Sequence, residues 1–347
     1  MTNKPATHSF NNFSQVHSQA KLHPSVKVGA FSIIHEQVEI GEGTEIAPHV
    51  VIYPGVKIGK NCKISSHTVI TPETQSLAFG EEESPETPVY LLGKVPGIQI
   101  DDHVHIEPSV TLHGEITIGS GCWIGSGTTI HDGARIGKKC RIFPGAIISA
   151  IPQDLKFEGE KTTLEIGDGT TIRECATLNR GTKAYGKTVI GKNCLLMAYV
   201  HVAHDCIIGD RVVMANSVNL AGHVEIEDDA LMGGTCAVQQ FVKIGKHAFV
   251  TGGSKVRKDV PPYIKVGREP VQYQGVNSIG LRRKGYEAEK INEIMEIYRH
   301  VFLSGRNNTR ALGHIETHLA YSEERDCIVN FIRNSERGIV KGLPHKQ

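Results

Sequence analysis

The sequence predicts a mainly β fold: a long solenoid of short strands followed by a small C-terminal α-helical domain. Three observations carry this. Reading every sixth residue from Ile190 to Val256 gives Ile190, Leu196, Val202, Ile208, Met214, Leu220, Ile226, Met232, Val238, Ile244, Val250 and Val256, with no polar interruption. A period of six fits neither a 3.6-residue helix nor a simple alternating strand, but it fits stacked coils in which every sixth side chain enters a shared core. After Asp259-Val260-Pro261-Pro262-Tyr263 the period disappears and helical spacing replaces it.

Taken in order, residues 1–21 read as a flexible tail, since Met1-Thr2-Asn3-Lys4-Pro5-Ala6-Thr7-His8 has no apolar signal core. A cytoplasmic protein is the expectation. The solenoid is expected over residues 22–265. It begins at Leu22 and runs through Val28, Ile34, Ile40, Ile46, Ile52, Ile58, Ile64 and Ile70. It then breaks over about 71–99, where Glu81-Glu82-Glu83-Ser84-Pro85-Glu86-Thr87-Pro88 cannot be a core strand. The repeat resumes from Ile100 to Ile148 and breaks again over 149–165. Ile166, Ile172 and Leu178 restore it before a third loop over 179–189. Loops leaving a rigid scaffold are where function concentrates.

In the helical domain, residues 266–347, Ile291, Ile294, Met295, Tyr298, Val301 and Phe302 predict a helix from about Glu287 to Leu303. Leu312, Ile315 and Leu319 predict a second, and Ile328, Phe331 and Ile332 a third. A helical cover removes the hazard of an open strand edge at the coil end.

With 38 basic against 37 acidic residues the chain is nearly neutral, so no strong field favours nucleic acid or an anionic membrane. No stretch is apolar enough for stable membrane insertion. Cys62, Cys122, Cys140, Cys194, Cys206 and Cys236 each follow an every-sixth aliphatic by four residues, a phase shared with Thr44, Thr68, Thr128 and Ala134. That is a slot for small inward side chains, so these cysteines are expected free and buried. Gly119-Ser120-Gly121 and Gly125-Ser126-Gly127 recur at the solenoid's own corners and lack the strand-to-helix setting of a phosphate loop.

The chemistry is placed at His201 and His204. Val202 points inward, so His204 falls near a corner, where a half-exposed imidazole can titrate near neutrality and accept a proton from a hydroxyl. Asp205 beside it could hold the ring. A metal site competes, because His201, His204 and His223 recur at near-coil spacing and three histidines can hold an open zinc ion, as in trimeric γ-type carbonic anhydrases. A non-catalytic scaffold that binds a partner through the acidic loop is a third reading.

The ordered set Gln153-Asp154-Leu155-Lys156, Asn179-Arg180-Gly181-Thr182, Leu195-Leu196-Met197, His201-Val202-Ala203-His204-Asp205-Cys206, Leu220-Ala221-Gly222-His223, Gln240-Phe241, Asp259-Val260-Pro261-Pro262-Tyr263, Gly275-Val276-Asn277, Gly280-Leu281-Arg282-Arg283 and Asn334-Ser335-Glu336-Arg337-Gly338 resembles the UDP-N-acetylglucosamine O-acyltransferase family of lipid A biosynthesis. The resemblance spans about residues 100–340. It implies a left-handed parallel β-helix, an exception to the usual crossover hand, assembled as a homotrimer with active sites between subunits.

It also implies transfer of a 3-hydroxyacyl chain from acyl carrier protein to the 3-hydroxyl of UDP-N-acetylglucosamine, with no metal and no cofactor beyond the carrier-bound thioester. By position, His204 would be the general base, Asp205 its orienting partner, and the Gly222 N–H a donor to the oxyanion. Asp154 and Lys156 would hold the sugar, His201 and His223 would line the nucleotide-sugar site, and Asn277 with Arg283 would bind the diphosphate or uridine. Gln240 falls on a substrate-contact position. Asn179 is also expected among the substrate-binding residues, although it and Gln239 stand where many relatives carry histidine, and Lys284 stands where a second arginine is usual. Gly252 falls near the family's acyl-length position, where a small residue leaves room for a long chain, roughly fourteen carbons or more. Lys255, Arg257, Lys258, Arg282, Arg283 and Lys284 are expected to dock the acidic carrier.

Overall fold

The structure is a computed structural model and describes residues 13–73 and 97–342. Among the described residues, three sheets of 12, 11 and 13 strands, parallel except for one antiparallel strand at the end of the largest, form the faces of a prism, and successive strands of the coils step from one sheet to the next. Val202 pairs with Leu220 and Leu220 with Val238, so one coil takes 220 − 202 = 18 residues, three hexads. Every member of the Ile190-to-Val256 series is buried. The acidic segment within 71–99 lies, for residues 74–96, outside the described residues.

The slot two residues before each inward aliphatic has a second purpose besides size. Cys206 donates its Sγ–H to the Ala221 carbonyl at 3.2 Å, Cys236 to Thr251 at 3.1 Å, and Thr44 its hydroxyl to Gly59 at 2.8 Å. Each of these three side chains thus satisfies a corner carbonyl one coil further on, which the alanine at position 134 of the same slot cannot do. All eight cysteines are free.

Three elements differ from expectation. The first strand is Gln15–Val16, pairing with Ile33–Ile34, so coiling starts ahead of Leu22; Val16 lies six residues before Leu22 and keeps its phase. The β structure continues past residue 265, where Ile264–Gly267 pairs with an antiparallel strand, Gln272–Val276. A short helix, α1 (Ser278–Arg283), precedes the expected ones, α2 (Ala288–Phe302), α3 (Asn308–His318) and α4 (Glu323–Arg333). Helix α2 closes the coil end: the buried Tyr298 hydroxyl donates to the Pro262 carbonyl at 2.6 Å, and Phe302 stacks on Tyr273 at 4.3 Å. Among the described residues no helix is long and apolar enough to cross a membrane.

Candidate active site

His204 sits on the corner that follows strand His201–Val202, and the residues one and two coils on at that corner are Gly222 and Gln240. His204 is not half-exposed as expected but buried, its side chain 9% exposed. Two neighbours enclose it. Gly222 lies under the ring so closely that a Cβ there would stand 2.6 Å from Cε1 and 2.7 Å from Nε2 of His204. His223 packs edge-on at 5.2 Å between ring centroids.

The Nδ1 of His204 is 2.9 Å from Asp205 Oδ2. Asp205 is itself gripped: Oδ1 accepts the Thr182 N–H at 2.9 Å, Oδ2 accepts the Thr182 hydroxyl at 2.6 Å, and its own N–H donates to Thr188 Oγ1 at 2.8 Å. Burial pushes its carboxyl upward, but the Thr182 hydroxyl, His204 and the Thr182 N–H outweigh it and hold the group below the ordinary aspartate value. A carboxylate bonded to Nδ1 fixes the tautomer with the proton on Nδ1, leaving Nε2 as the basic atom. Among the described residues neither Nε2 of His204 nor the Gly222 N–H has a hydrogen-bond partner.

The run Asn179-Arg180-Gly181-Thr182 now reads as four separate fittings. Asn179 is 2% exposed and donates Nδ2 to the Ile151 carbonyl at 3.0 Å, so it anchors the 151–162 loop, while its buried Oδ1 has no hydrogen-bond partner among the described residues. Arg180 pairs with Asp132 at 2.9 Å. Gly181 passes so near the Lys187 backbone that a Cβ would meet its nitrogen at 2.3 Å. Thr182 holds Asp205.

The anchored loop carries Asp154, whose Oδ1 accepts the Lys156 N–H at 3.0 Å and whose charge reaches His223. Burial lowers the His223 pKa, opposed by the Asp205 and Asp154 charges. Lys156 is exposed and makes no ion pair among the described residues. His223 is flanked by the exposed rings of Phe241 at 4.7 Å and Tyr185 at 5.6 Å. Thr182, Thr188, Tyr185 and Phe241 escaped the residue-by-residue reading. Only Phe241 carried a usable signal, lying 241 − 223 = 18 residues, one coil, after His223.

The three histidines of the competing metal reading are not brought together within the described chain. His201 is turned to Thr177, with Nδ1 2.8 Å from the hydroxyl, and burial lowers its pKa. Among the described residues the groups whose ligating atoms lie within 4.8 Å of one another are His204, Asp205 and His223, and the two oxygens of Asp205 already face Thr182 and His204.

The remaining expected residues lie on other edges of the prism. Asn277 caps α1, its Oδ1 accepting the Gly280 N–H at 3.2 Å, and donates Nδ2 to the His247 carbonyl at 3.0 Å. His247 is at the corner after Lys243–Ile244, one sheet round from His204. Arg283, in the last turn of α1, is exposed, and Lys284 pairs with Asp229 at 2.6 Å. Gly252 is at the third kind of corner, where a Cβ would come 3.1 Å from the Gly234 carbonyl oxygen. All six expected docking cations are exposed; Arg257 pairs with Glu269, Lys258 with the Arg337 carbonyl and Lys284 with Asp229, and Lys255, Arg282 and Arg283 make no ion pair among the described residues.

A coiled wall of hexads with a carboxylate-bound imidazole at one corner defines a hexapeptide transferase. The family model for bacterial transferase hexapeptides matches residues 19–54, 37–72, 115–150 and 187–222, and the model described as Udp N-acetylglucosamine O-acyltransferase, Domain 2, matches residues 259–340. The acyl-[acyl-carrier-protein]--UDP-N-acetylglucosamine O-acyltransferase of Thiobacillus denitrificans is 41% identical over 247 residues, covering 71% of this chain and 96% of that protein. Among solved structures, the UDP-N-acetylglucosamine acyltransferase of Bacteroides fragilis aligns with a TM-score of 0.63 and 35% identity over 95% of this chain and 99% of its own. The Arabidopsis UDP-N-acetylglucosamine acyltransferase aligns with a TM-score of 0.69 and 29% identity over 94% and 100%. The chain belongs to the UDP-N-acetylglucosamine O-acyltransferase family, and its fold is the left-handed parallel β-helix of hexapeptide repeats with a C-terminal helical domain. The relatives give no support to a metalloenzyme or a scaffold.

Proposed function

We propose that this enzyme moves a 3-hydroxyacyl chain from acyl carrier protein to the 3-hydroxyl of UDP-N-acetylglucosamine, the opening step of lipid A biosynthesis. The observation that carries the reading is the His204 imidazole, bonded to Asp205 through Nδ1, with Nε2 free above Gly222. Nε2 takes the proton of the sugar hydroxyl as its oxygen attacks the thioester carbonyl. The C–O bond forms, the carbonyl electrons move to oxygen, and the free Gly222 N–H is the donor offered to that oxyanion. Collapse breaks the C–S bond, and the proton on Nε2 passes to the departing thiolate. A positioned base contributes about 10² to 10⁴ in rate, and the rest comes from orientation and charge stabilisation.

Asp154 and Lys156 reach the sugar from the anchored loop, His223 and Gln240 line the same corner, and His201 stands on the strand before it. Asn277, Arg283 and Gly252 belong to other edges of the same chain, which supports a homotrimer in which neighbouring subunits complete each site. The outward row Leu195, Val213, Leu231 and Phe249, stacked on one face, offers an apolar strip for that assembly. Gly252 would leave space for a long acyl chain; preference for short-chain donors would contradict this. Exposed Lys255, Arg282 and Arg283 suit an acidic carrier, and binding should weaken as salt rises. The deciding experiment is mass measurement of the product made from UDP-N-acetylglucosamine and a panel of carrier thioesters. Mono-acylated sugar nucleotide supports the reading, and its absence with every donor refutes it.

A further inference from the structure

We propose that Thr182 is a positioning residue for this reaction: its N–H and hydroxyl together fix the Asp205 carboxylate, and through it the tautomer and aim of His204. The catalytic consequence rests on the function proposed above; the structural one rests on geometry alone.

Asp205 stands between two imidazoles. Its Oδ2 is 2.9 Å from His204 Nδ1 and 3.6 Å from His223 Nε2, so a modest rotation of the carboxylate would exchange one partner for the other. The terminal torsion of an aspartate is broad and offers little resistance of its own. Thr182 supplies the resistance. Its two donors take one oxygen each, at 2.9 and 2.6 Å, which sets the carboxylate plane and leaves Oδ2 facing His204. Among the described residues no lysine or arginine pairs with Asp205; the titratable groups facing it are His204 and His223, with Asp154 acting on His223.

The clamp is rigid because the loop behind it is tied down. Thr182 is 4% exposed, its carbonyl accepts the Gly186 N–H at 2.7 Å, and the Thr162 hydroxyl donates to the Gly181 carbonyl at 2.6 Å. Thr188, on the strand leaving this loop, accepts the Asp205 N–H, so one loop grips both carboxylate oxygens and the backbone of the same residue. With the loop's other end anchoring Ile151 through Asn179, the segment that would meet the sugar and the one that sets the base share a frame.

The test uses Thr182→Val, which keeps the shape and removes the hydroxyl, and Thr182→Ser, which restores it. Thr182→Val should lower kcat about 10- to 100-fold, the scale of a lost hydrogen bond to a buried charge, with little change in KM for the sugar nucleotide. Thr182→Ser should recover most of the loss. Nitrogen-15 spectra of the imidazoles read the clamp without any turnover: His204 should carry its proton on Nδ1 in the wild type and exchange between tautomers in Thr182→Val. An unchanged His204 spectrum in Thr182→Val overturns the proposal, as does a serine variant no better than valine. If no acyl donor is used by the wild type, the functional reading fails, and the spectra still decide the clamp.

Discussion

Replacing Gly222 by alanine should displace the His204 ring while leaving the coil intact. The backbone of Gly222 is not in the left-handed region, so alanine carries no conformational penalty there. The penalty falls on His204, because the new Cβ would lie 2.6 Å from Cε1. Restoring ordinary contact at about 3.4 Å requires a shift of about 0.8 Å, and the ring cannot take it freely because Nδ1 is tied to Asp205 at 2.9 Å. A shift of that size directed away from Asp205 would stretch the bond to about 3.7 Å, beyond hydrogen-bonding distance.

Misplacement on this scale costs about 10²-fold in rate, or about 2.7 kcal/mol of transition-state stabilisation. Overpacking should cost the fold about 1–3 kcal/mol. The variant keeps the residue-222 N–H, so the loss separates ring position from oxyanion donation. Turnover with UDP-N-acetylglucosamine and hydroxyacyl carrier protein, a thermal melt and a crystal structure of the variant make the assay. Turnover within about twofold of wild type, or a ring found unmoved, would refute the steric argument.

Two further predictions concern residues whose roles the geometry separates. Asn277→Ala removes the cap of α1 and should cost about 1 kcal/mol of stability, visible as a lowered melting temperature. A raised KM with no change in melting would instead make Asn277 a nucleotide contact alone. Because the Asp205 carboxyl is held below its ordinary value, its contribution to stability is full above about pH 4 and is lost as pH falls through the lowered folded value. The melting difference between wild type and Asp205→Asn should therefore shrink in acid; a difference that grows there would contradict the assignment.

The period of six was readable because a strict steric demand, one aliphatic per inward position, leaves a mark on every hexad. The corner carrying His204 followed from Val202 pointing inward, and adjacency to Asp205 proved to be real contact. The burial of His204 was not readable, since it arises from Gly222 one coil on and from His223 beside it. Thr182 escaped for a similar reason: it lies in a loop outside the lattice, 23 residues from the carboxylate it holds. Helix α1 left little signal because only Leu281 within it is buried. The edge on which each expected residue falls depends on the order of the three sheets, and no local pattern records that order.

The most direct test of the central claim is the turnover of His204→Ala with UDP-N-acetylglucosamine and hydroxyacyl carrier protein, on protein shown to keep its fold. Loss of about 10²-fold or more, with the melting temperature nearly unchanged, is the result expected if this imidazole accepts the hydroxyl proton. Turnover close to wild type would place the base elsewhere and contradict the account.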